Sequence, residues 1–591
     1  MINVPVSTLI FVTLLLIATE GCSSGTYEKP SGNKESIQVI DRSIVKDVSD
    51  SSATIKNSSE PGPIFFTDIT ENSGVNFVHF SGTTDEKPVP TANGSGLAVF
   101  DFDSDGLMDI YFAQSTHLPV DPKGGQTGKL YRNMGGMKFL DVTDKSGLGA
   151  TTFFTHAAIA ADIDNDGDPD LYLCNYGKNA LFRNDGKGKF TDISSESSTD
   201  IKTWSSSAAF LDYDGNGLLD IYISTYADWK FPEDNKFCGD AQKKVRLYCD
   251  PKELRPARDY LLKNMGNCKF SDVTEVAGIL RGDGHGFGVI TADFNADHLT
   301  DIYVANDQDP NFLFLNLGNG KFEDVTAFAG ASLDARGHSQ AGMGVDTEDF
   351  DGDGLPEIIV TNFANEPNTL YKNLGKGLFM DVTSASGVLA PSLPYVGWGA
   401  TMADFDLDGW PDLFVANGHL DDNRRDLGED APQPQPALLL RNFGGRRFED
   451  IGRSAGSYFL KNHVGRGVGW GDLDNDGDID VVVSHKDGKP SILRNDSQRK
   501  GRHWVRLVLI GSISNRDAIG ARVELNLGER KLTRLRKGGC GLMSTHDARL
   551  TIGVDSAAKI KSIKVIWPSG KESIIENVQS DSEIKVVEPR V

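Results

Sequence analysis

Carboxylates recur along this chain at a spacing that can hold a hard cation. Asp-x-Asp-x-Asp-Gly-x-x-Asp occurs as Asp101, Asp103, Asp105 and Asp109 around Gly106, and again as Asp162, Asp164, Asp166 and Asp170 around Gly167. The third copy reads Asp212, Asp214, Asn216 and Asp220. The fourth reads Asp293, Asn295, Asp297 and Asp301, with His298 in the glycine's place. Asp349, Asp351, Asp353 and Glu357 make the fifth, Asp404, Asp406, Asp408 and Asp412 the sixth, and Asp472, Asp474, Asp476 and Asp480 the seventh. Calcium takes about six to eight oxygens at roughly 2.3–2.6 Å, and alternate side chains of one tight loop can converge on it. The glycine lets the backbone turn with positive φ. The seven copies carry 26 carboxylates at positions one, three, five and nine, so up to seven calcium ions are expected. Without a cation these groups repel one another, raise their pKa values or open the loop. The fourth loop lacks one carboxylate and the glycine, and is expected to bind least.

The elements that position these loops are strands. An EF-hand would need flanking amphipathic helices and a glutamate at position twelve, but that position in the first loop is Phe112. Apolar triplets follow every loop, from Ile110-Tyr111-Phe112 and Leu171-Tyr172-Leu173 to Val481-Val482-Val483. Such runs suit strands covered on both faces. Five positions before each loop stands a small residue: Gly96, Ala157, Ser207, Gly288, Gly344, Gly399 or Gly467. That register implies close approach at a crowded axis. After each triplet comes a hairpin such as Leu130–Phe139 or Leu370–Phe379, with an Asn-x-Gly turn, then a Phe-x-Asp strand. Four short strands per repeat, arranged radially, make a β-propeller. The seventh repeat stops at Asn495 without its last strand, while Phe66-Thr67-Asp68-Ile69-Thr70 is such a strand with no hairpin before it. The expected fold is all-β: a seven-bladed propeller over 64–495 whose last blade the N-terminal strand completes.

Other chemistry is sparse. Of six cysteines, Cys238 and Cys249 lie close together in a polar insertion and are expected to pair, with Cys268 a competitor. Cys174 follows a strand triplet as a small buried hydrophobe. No Cys-x-x-Cys, His-Glu-x-x-His, Gly-x-Ser-x-Gly or phosphate-cradling glycine loop occurs. His156, His285, His338 and His463 each precede a metal loop and are read as connector residues with local hydrogen bonds.

The 591 residues carry 60 Lys+Arg against 84 Asp+Glu, a net of −24. From Asp496 onward the count is 18 basic and 11 acidic, a net of +7, which leaves −31 for the rest. A surface this acidic disfavours nucleic acid as a partner. The acidic body and basic tail are expected to be separate units, the tail (496–591) a small β-rich domain with alternating stretches such as Trp504–Ile510. Val4–Ala18 is an apolar run of 15 residues that reads as a signal-peptide core. Thr19-Glu20-Gly21-Cys22 and the serines after it resemble a bacterial lipoprotein cleavage site. Residues 1–22 are therefore read as a signal peptide with Cys22 lipidated, and 23–63 as a flexible polar tether. The implied location is an outer-membrane or cell-surface lipoprotein, otherwise periplasmic or secreted.

The loops and the Leu-Tyr-x-Asn hairpins resemble FG-GAP/VCBS repeats, the calcium-binding blades of integrin α-subunit propellers. Asn515–Val523, Lys537–Gly541 and Trp567–Gly570 resemble the ASPIC/UnbV domain, with Cys540 where that family usually shows glycine. The combination is similar to bacterial relatives of cartilage acidic protein. The resemblance implies the fold and calcium binding; it implies no particular activity.

Two functions fit. One is a calcium-stabilised surface or extracellular module that binds protein or carbohydrate, as in cell adhesion. The other is a propeller enzyme (polysaccharide lyase, hydrolase or quinoprotein) with its site in the loop insertions. Convergence of titratable residues from several blades in one pocket would favour the enzyme. No catalytic residue can be singled out. The long insertions, Gln114–Lys129, Tyr226–Asp259 and Gly418–Ala437, all join second and third strands and so emerge opposite the metal loops. Trp229, Phe231 and Tyr248 make the middle one aromatic, and a partner is expected there. Membrane contact is expected only through the lipid anchor.

Overall fold

A computed structural model describes residues 63–539 and 541–590. The signal segment, Cys22, the tether apart from its last residue, and Cys540 lie outside the described residues. Among those described, no helix is long and apolar enough to cross a membrane.

Each metal loop joins the first two strands of a four-stranded antiparallel unit; among the described residues five of these units are separate sheets, and those of the second and third repeats merge into one eight-stranded sheet. In the first sheet, Leu97–Phe100 pairs with Asp109–Phe112, then come Lys129–Asn133 and Phe139–Asp141. The triplets that follow the loops are buried throughout, as double-faced coverage requires. In the seventh sheet the outer strand is Phe66–Asp68, whose residues pair with Asn495, Arg494 and Leu493. Chain start and last repeat are thereby joined. The second and third sheets are also linked to each other: Tyr176–Lys178 extends its strand to pair with Lys202–Trp204.

The small residues sit where expected, and their neighbours explain them. A Cβ on Gly344 would lie 2.1 Å from the Trp398 carbonyl oxygen of the next sheet, and one on Gly96 would lie 1.9 Å from that of Met543. Met543 belongs to a finger, residues 537–547, that the C-terminal domain inserts into the axis. Finger backbone bonds reach several inner strands: Phe210 N–H donates to Gly538 O at 2.7 Å, Val99 N–H to Thr545 O at 3.0 Å, and Asp547 N–H to Trp470 O at 2.9 Å.

The C-terminal domain itself has two sheets. His503–Ile510 lies between Leu550–Asp555 and Ser582–Val587. The second sheet runs Lys531–Leu535, Arg522–Asn526, Lys559–Ile566, Glu572–Gln579. Val505, Leu507, Val523, Ile563 and Trp567 fill the core between them. The basic C-terminal domain keeps its own core but is docked on the metal-loop face of the acidic repeats and inserts its finger between their inner strands. The charge asymmetry marks an interface.

Candidate metal centres

One loop shows how the sequence builds the site. Asp101 accepts from the backbone N–H of Asp105 at 3.0 Å and of Gly106 at 2.8 Å, which fixes the turn. Gly106 has φ +84, a region glycine enters freely. Asp109, at the start of the second strand, accepts from Phe102 N–H at 3.1 Å and from Asn133 N–H at 2.7 Å. The other six loops repeat the position-nine bond: Asp170, Asp220, Asp301, Glu357, Asp412 and Asp480 each accept from the backbone of Asn184, Asn264, Asn316, Asn373, Asn442 and Asn495 in turn.

These loops bring carboxylates together. Oxygens of Asp101, Asp103 and Asp109 lie within 4.8 Å of one another, as do those of Asp162, Asp164 and Asp170, and of Asp212, Asp214 and Asp220. So do those of Asp349, Asp351 and Asp353, and of Asp404, Asp406 and Asp412. Burial pushes Asp109, Asp170 and Glu357 up to about 9, and Asp220 and Asp480 well above the usual carboxylate range.

One feature tests whether a cation fits. The Oδ1 atoms of Asp103, Asp164, Asp214, Asp406 and Asp474 are buried with no hydrogen-bond partner, all at position three of a loop. A buried carboxylate oxygen without a partner is expensive, and the same vacancy of partners in five loops matches a shared hard-cation ligand. Position five of the same five loops is Asp105, Asp166, Asn216, Asp408 and Asp476. The fourth loop differs: Asn295 donates its amide to Asp297 at 2.9 Å, so positions three and five satisfy each other. His298 there holds φ +68, a left-handed backbone that costs a side chain about 1–2 kcal/mol. A basic side chain of the hairpin strand bridges positions three and five in three loops: Arg132 with Asp103 and Asp105, Lys372 with Asp351 and Asp353, and Arg441 with Asp406 and Asp408.

The hairpin asparagines have a second role that the sequence reading missed. Each side-chain amide donates to a carbonyl of its own loop and to one in the preceding sheet. Asn184 reaches Phe102 O at 2.7 Å, Asn373 reaches Phe294 O at 3.0 Å and Asn133 reaches Leu473 O at 2.8 Å, which crosses from the first sheet back to the seventh. Their recurrence at one position of seven hairpins was the available signal.

Arginines of the C-terminal domain cover these loops. Arg506 pairs with Asp472, Arg549 donates to Asp472 O at 2.9 Å, and Arg530 donates to Asp408 O at 2.7 Å and Gly409 O at 2.8 Å. Arg522 donates to Gly354 O at 2.8 Å. The family described as FG-GAP-like repeat matches 101–173, 162–223, 293–360 and 349–415, and the one described as ASPIC and UnbV matches 511–591. This chain is an FG-GAP-repeat protein with a C-terminal ASPIC and UnbV domain. It is homologous to cartilage acidic protein 1. The Homo sapiens protein is 27% identical over 570 residues, covering 89% of this chain and 78% of that one. The Mus musculus protein is 27% identical over 533 residues, covering 84% and 74%. Among solved structures, the BP39L lectin of Burkholderia pseudomallei aligns with TM-score 0.39 and 10% identity, over 68% of this chain and 94% of that one. PorZ of Porphyromonas gingivalis aligns with TM-score 0.39 and 12% identity, over 83% and 60%. Likenesses that distant transfer no ligand to the FG-GAP chain.

The expected partner residues sit elsewhere than at an open surface. Trp229 and Tyr248 are only 5% and 6% exposed, and Phe231 is half-buried. Trp229 and Tyr248 therefore pack the insertion onto the disc, Trp229 lining one cavity and Tyr248 another. Distant segments cover Tyr248: its hydroxyl bonds to Thr83 and Thr91, and its backbone N–H donates to Asp421 of the sixth-repeat insertion at 3.0 Å. Trp229 packs on Trp204 and Tyr176. Within the same insertion Cys238 is bonded to Cys249, with Cα atoms 5.2 Å apart, and Cys174 and Cys268 are free and buried. The four histidines do not converge: His285 bonds Asp309, His156 reaches Gly94 O, His463 stacks on Tyr458, and His338 is exposed beside Asp334.

Proposed function

We propose that this protein is an exported, calcium-stabilised binding module for a protein or carbohydrate partner, which docks on the face opposite the metal loops. The supporting observation is the cover on the other face: the C-terminal domain lies over the loops and contacts the inner strands, which leaves the insertions on the uncovered side. They are tied into one platform. Lys87 of the N-terminal segment pairs with Asp422, and Asn423 donates to Arg246 O at 3.0 Å. The five orphaned position-three oxygens support calcium, with the fourth loop the weakest site. The test is a screen of immobilised glycans and of protein extracts with the full chain, in calcium and in chelator. Binding that needs calcium and is blocked by altering the insertions supports the reading; no binding in either arm rejects it.

A second reading, catalysis, has one observation in its favour. A cavity of about 250 Å³ collects Asp250, Asp307, Asp421 and Arg424 from three repeats beside Tyr226 and Tyr248. Burial pushes Asp307 up to about 7, a range suited to acid–base chemistry. Polysaccharide cleavage that is lost in Asp307→Asn would establish it.

A further inference from the structure

A different cavity, of about 420 Å³, opens where the second and third sheets are linked. This lies within the range of about 300–1,000 Å³ typical of small-ligand sites. Its walls are aromatic: Tyr176, Trp204, Trp229 and Tyr260 all line it. Trp204 and Trp229 meet edge-on with centroids 6.1 Å apart, and Tyr176 stands 5.8 Å from Trp229. Trp204 is 2% exposed, and its indole N–H is buried with no hydrogen-bond partner. Its ring is packed among Tyr176, Tyr226 and Trp229 and forms the floor of the cavity.

The charged groups of the cavity are unequal. Asp228 pairs with Arg255, and Arg258 stacks on Tyr260 while donating to Asp272. Lys202 and Lys230 line the cavity, are exposed, and form no ion pair among the described residues. Two exposed lysines at an aromatic-lined cavity stand out on a chain of net charge −24. A neutral ring would need the aromatic faces but not the lysines. A free inorganic anion would need the lysines but not the rings.

We propose that this cavity binds an acidic sugar residue, one bearing a carboxylate or a sulfate. The apolar C–H face of the sugar ring lies on the aromatic walls, and Lys202 and Lys230 take the anionic group. The assignment rests on the binding-module reading and narrows it to one ligand class and one place.

The test uses the full chain with calcium and four probes in calorimetric titrations: trigalacturonate, a heparin tetrasaccharide, maltotriose and ADP. One or both acidic saccharides are expected to bind, maltotriose and ADP not. Lys202→Glu with Lys230→Glu, both exposed positions, should weaken binding roughly tenfold or more at unchanged melting temperature. Raising salt from about 0.1 M to about 1 M, which shortens the Debye length from about 10 Å to about 3 Å, should weaken it likewise. Binding of trigalacturonate alone identifies a uronate, and of the heparin fragment alone a sulfated sugar. Equal binding of maltotriose, preference for ADP, failure of both acidic probes, or indifference to the lysine changes overturns the assignment. If those results come with a partner found elsewhere on the face, the binding-module reading survives; if no partner is found at all, both fall.

Discussion

Position nine of each metal loop carries a carboxyl group buried at the joint between strands, and its proton is a competitor of the metal. Asp109, Asp170 and Glu357 hold pKa values near 9 in the metal-free fold, against about 4 in an unfolded chain. Between those limits the folded state binds more protons than the unfolded one, so metal-free stability falls as pH rises. In chelator, the melting temperature is therefore expected to be higher at pH 5.5 than at pH 8. With calcium the deprotonated form is the ligand, so the calcium-induced rise should be larger at pH 8. Melting curves in both buffers check this; a calcium shift that shrinks with pH would contradict it. Two further residues carry predictions of stated size. His298→Gly relieves a left-handed backbone worth about 1–2 kcal/mol and adds about 0.5–1 kcal/mol of unfolded-chain entropy. A net gain of about 0.5–1 kcal/mol in a denaturant titration is the expected result. Asn373→Ala leaves the buried carbonyls of Phe294 and Pro356 unpaired and should cost about 1–3 kcal/mol.

At the scale of elements, the strand Phe66–Asp68 is the test of closure. Deleting residues 64–71 leaves Ser491–Asn495 as an open edge, and open edges recruit other chains. Aggregation by light scattering is expected; a monomeric deletion variant of unchanged melting temperature would show the strand to be dispensable. This strand was legible in the sequence because every hairpin ends in the same Phe-x-Asp signature and the seventh lacks it. The metal loops were legible for a similar reason, since seven copies at one spacing leave little ambiguity. The finger 537–547 was not. Its hydrogen bonds go to strands remote in sequence, from Val99 to Trp470, and the small residues at the axis announce crowding without naming the occupant. The cover over Tyr248 comes from segments remote in sequence, around Thr83, Thr91 and Asp421, whereas Trp229 packs on Tyr176 and Trp204. Local pattern specifies strands and turns, whereas cover depends on which distant loops meet.

The molecule as a whole joins an acidic ring to a basic cap, and the two should stand or fall together. Excess chelator is expected to lower the melting temperature substantially, because ions that bind only the native state stabilise it by mass action. Equal midpoints with and without chelator would show that the loops hold no ion of consequence. Ending the chain at Asn495 strips the arginines from the loops and removes the partners of Phe210, Val99 and Ala158 backbone N–H groups. The truncated chain should be poorly soluble or melt well below the full protein even in saturating calcium. The finger also sets an order of assembly. The inner strands that approach it, such as those carrying Gly96 and Phe210, have backbone partners on that side only once residues 537–547 are in place, so the hub is the last part of the ring to become dry.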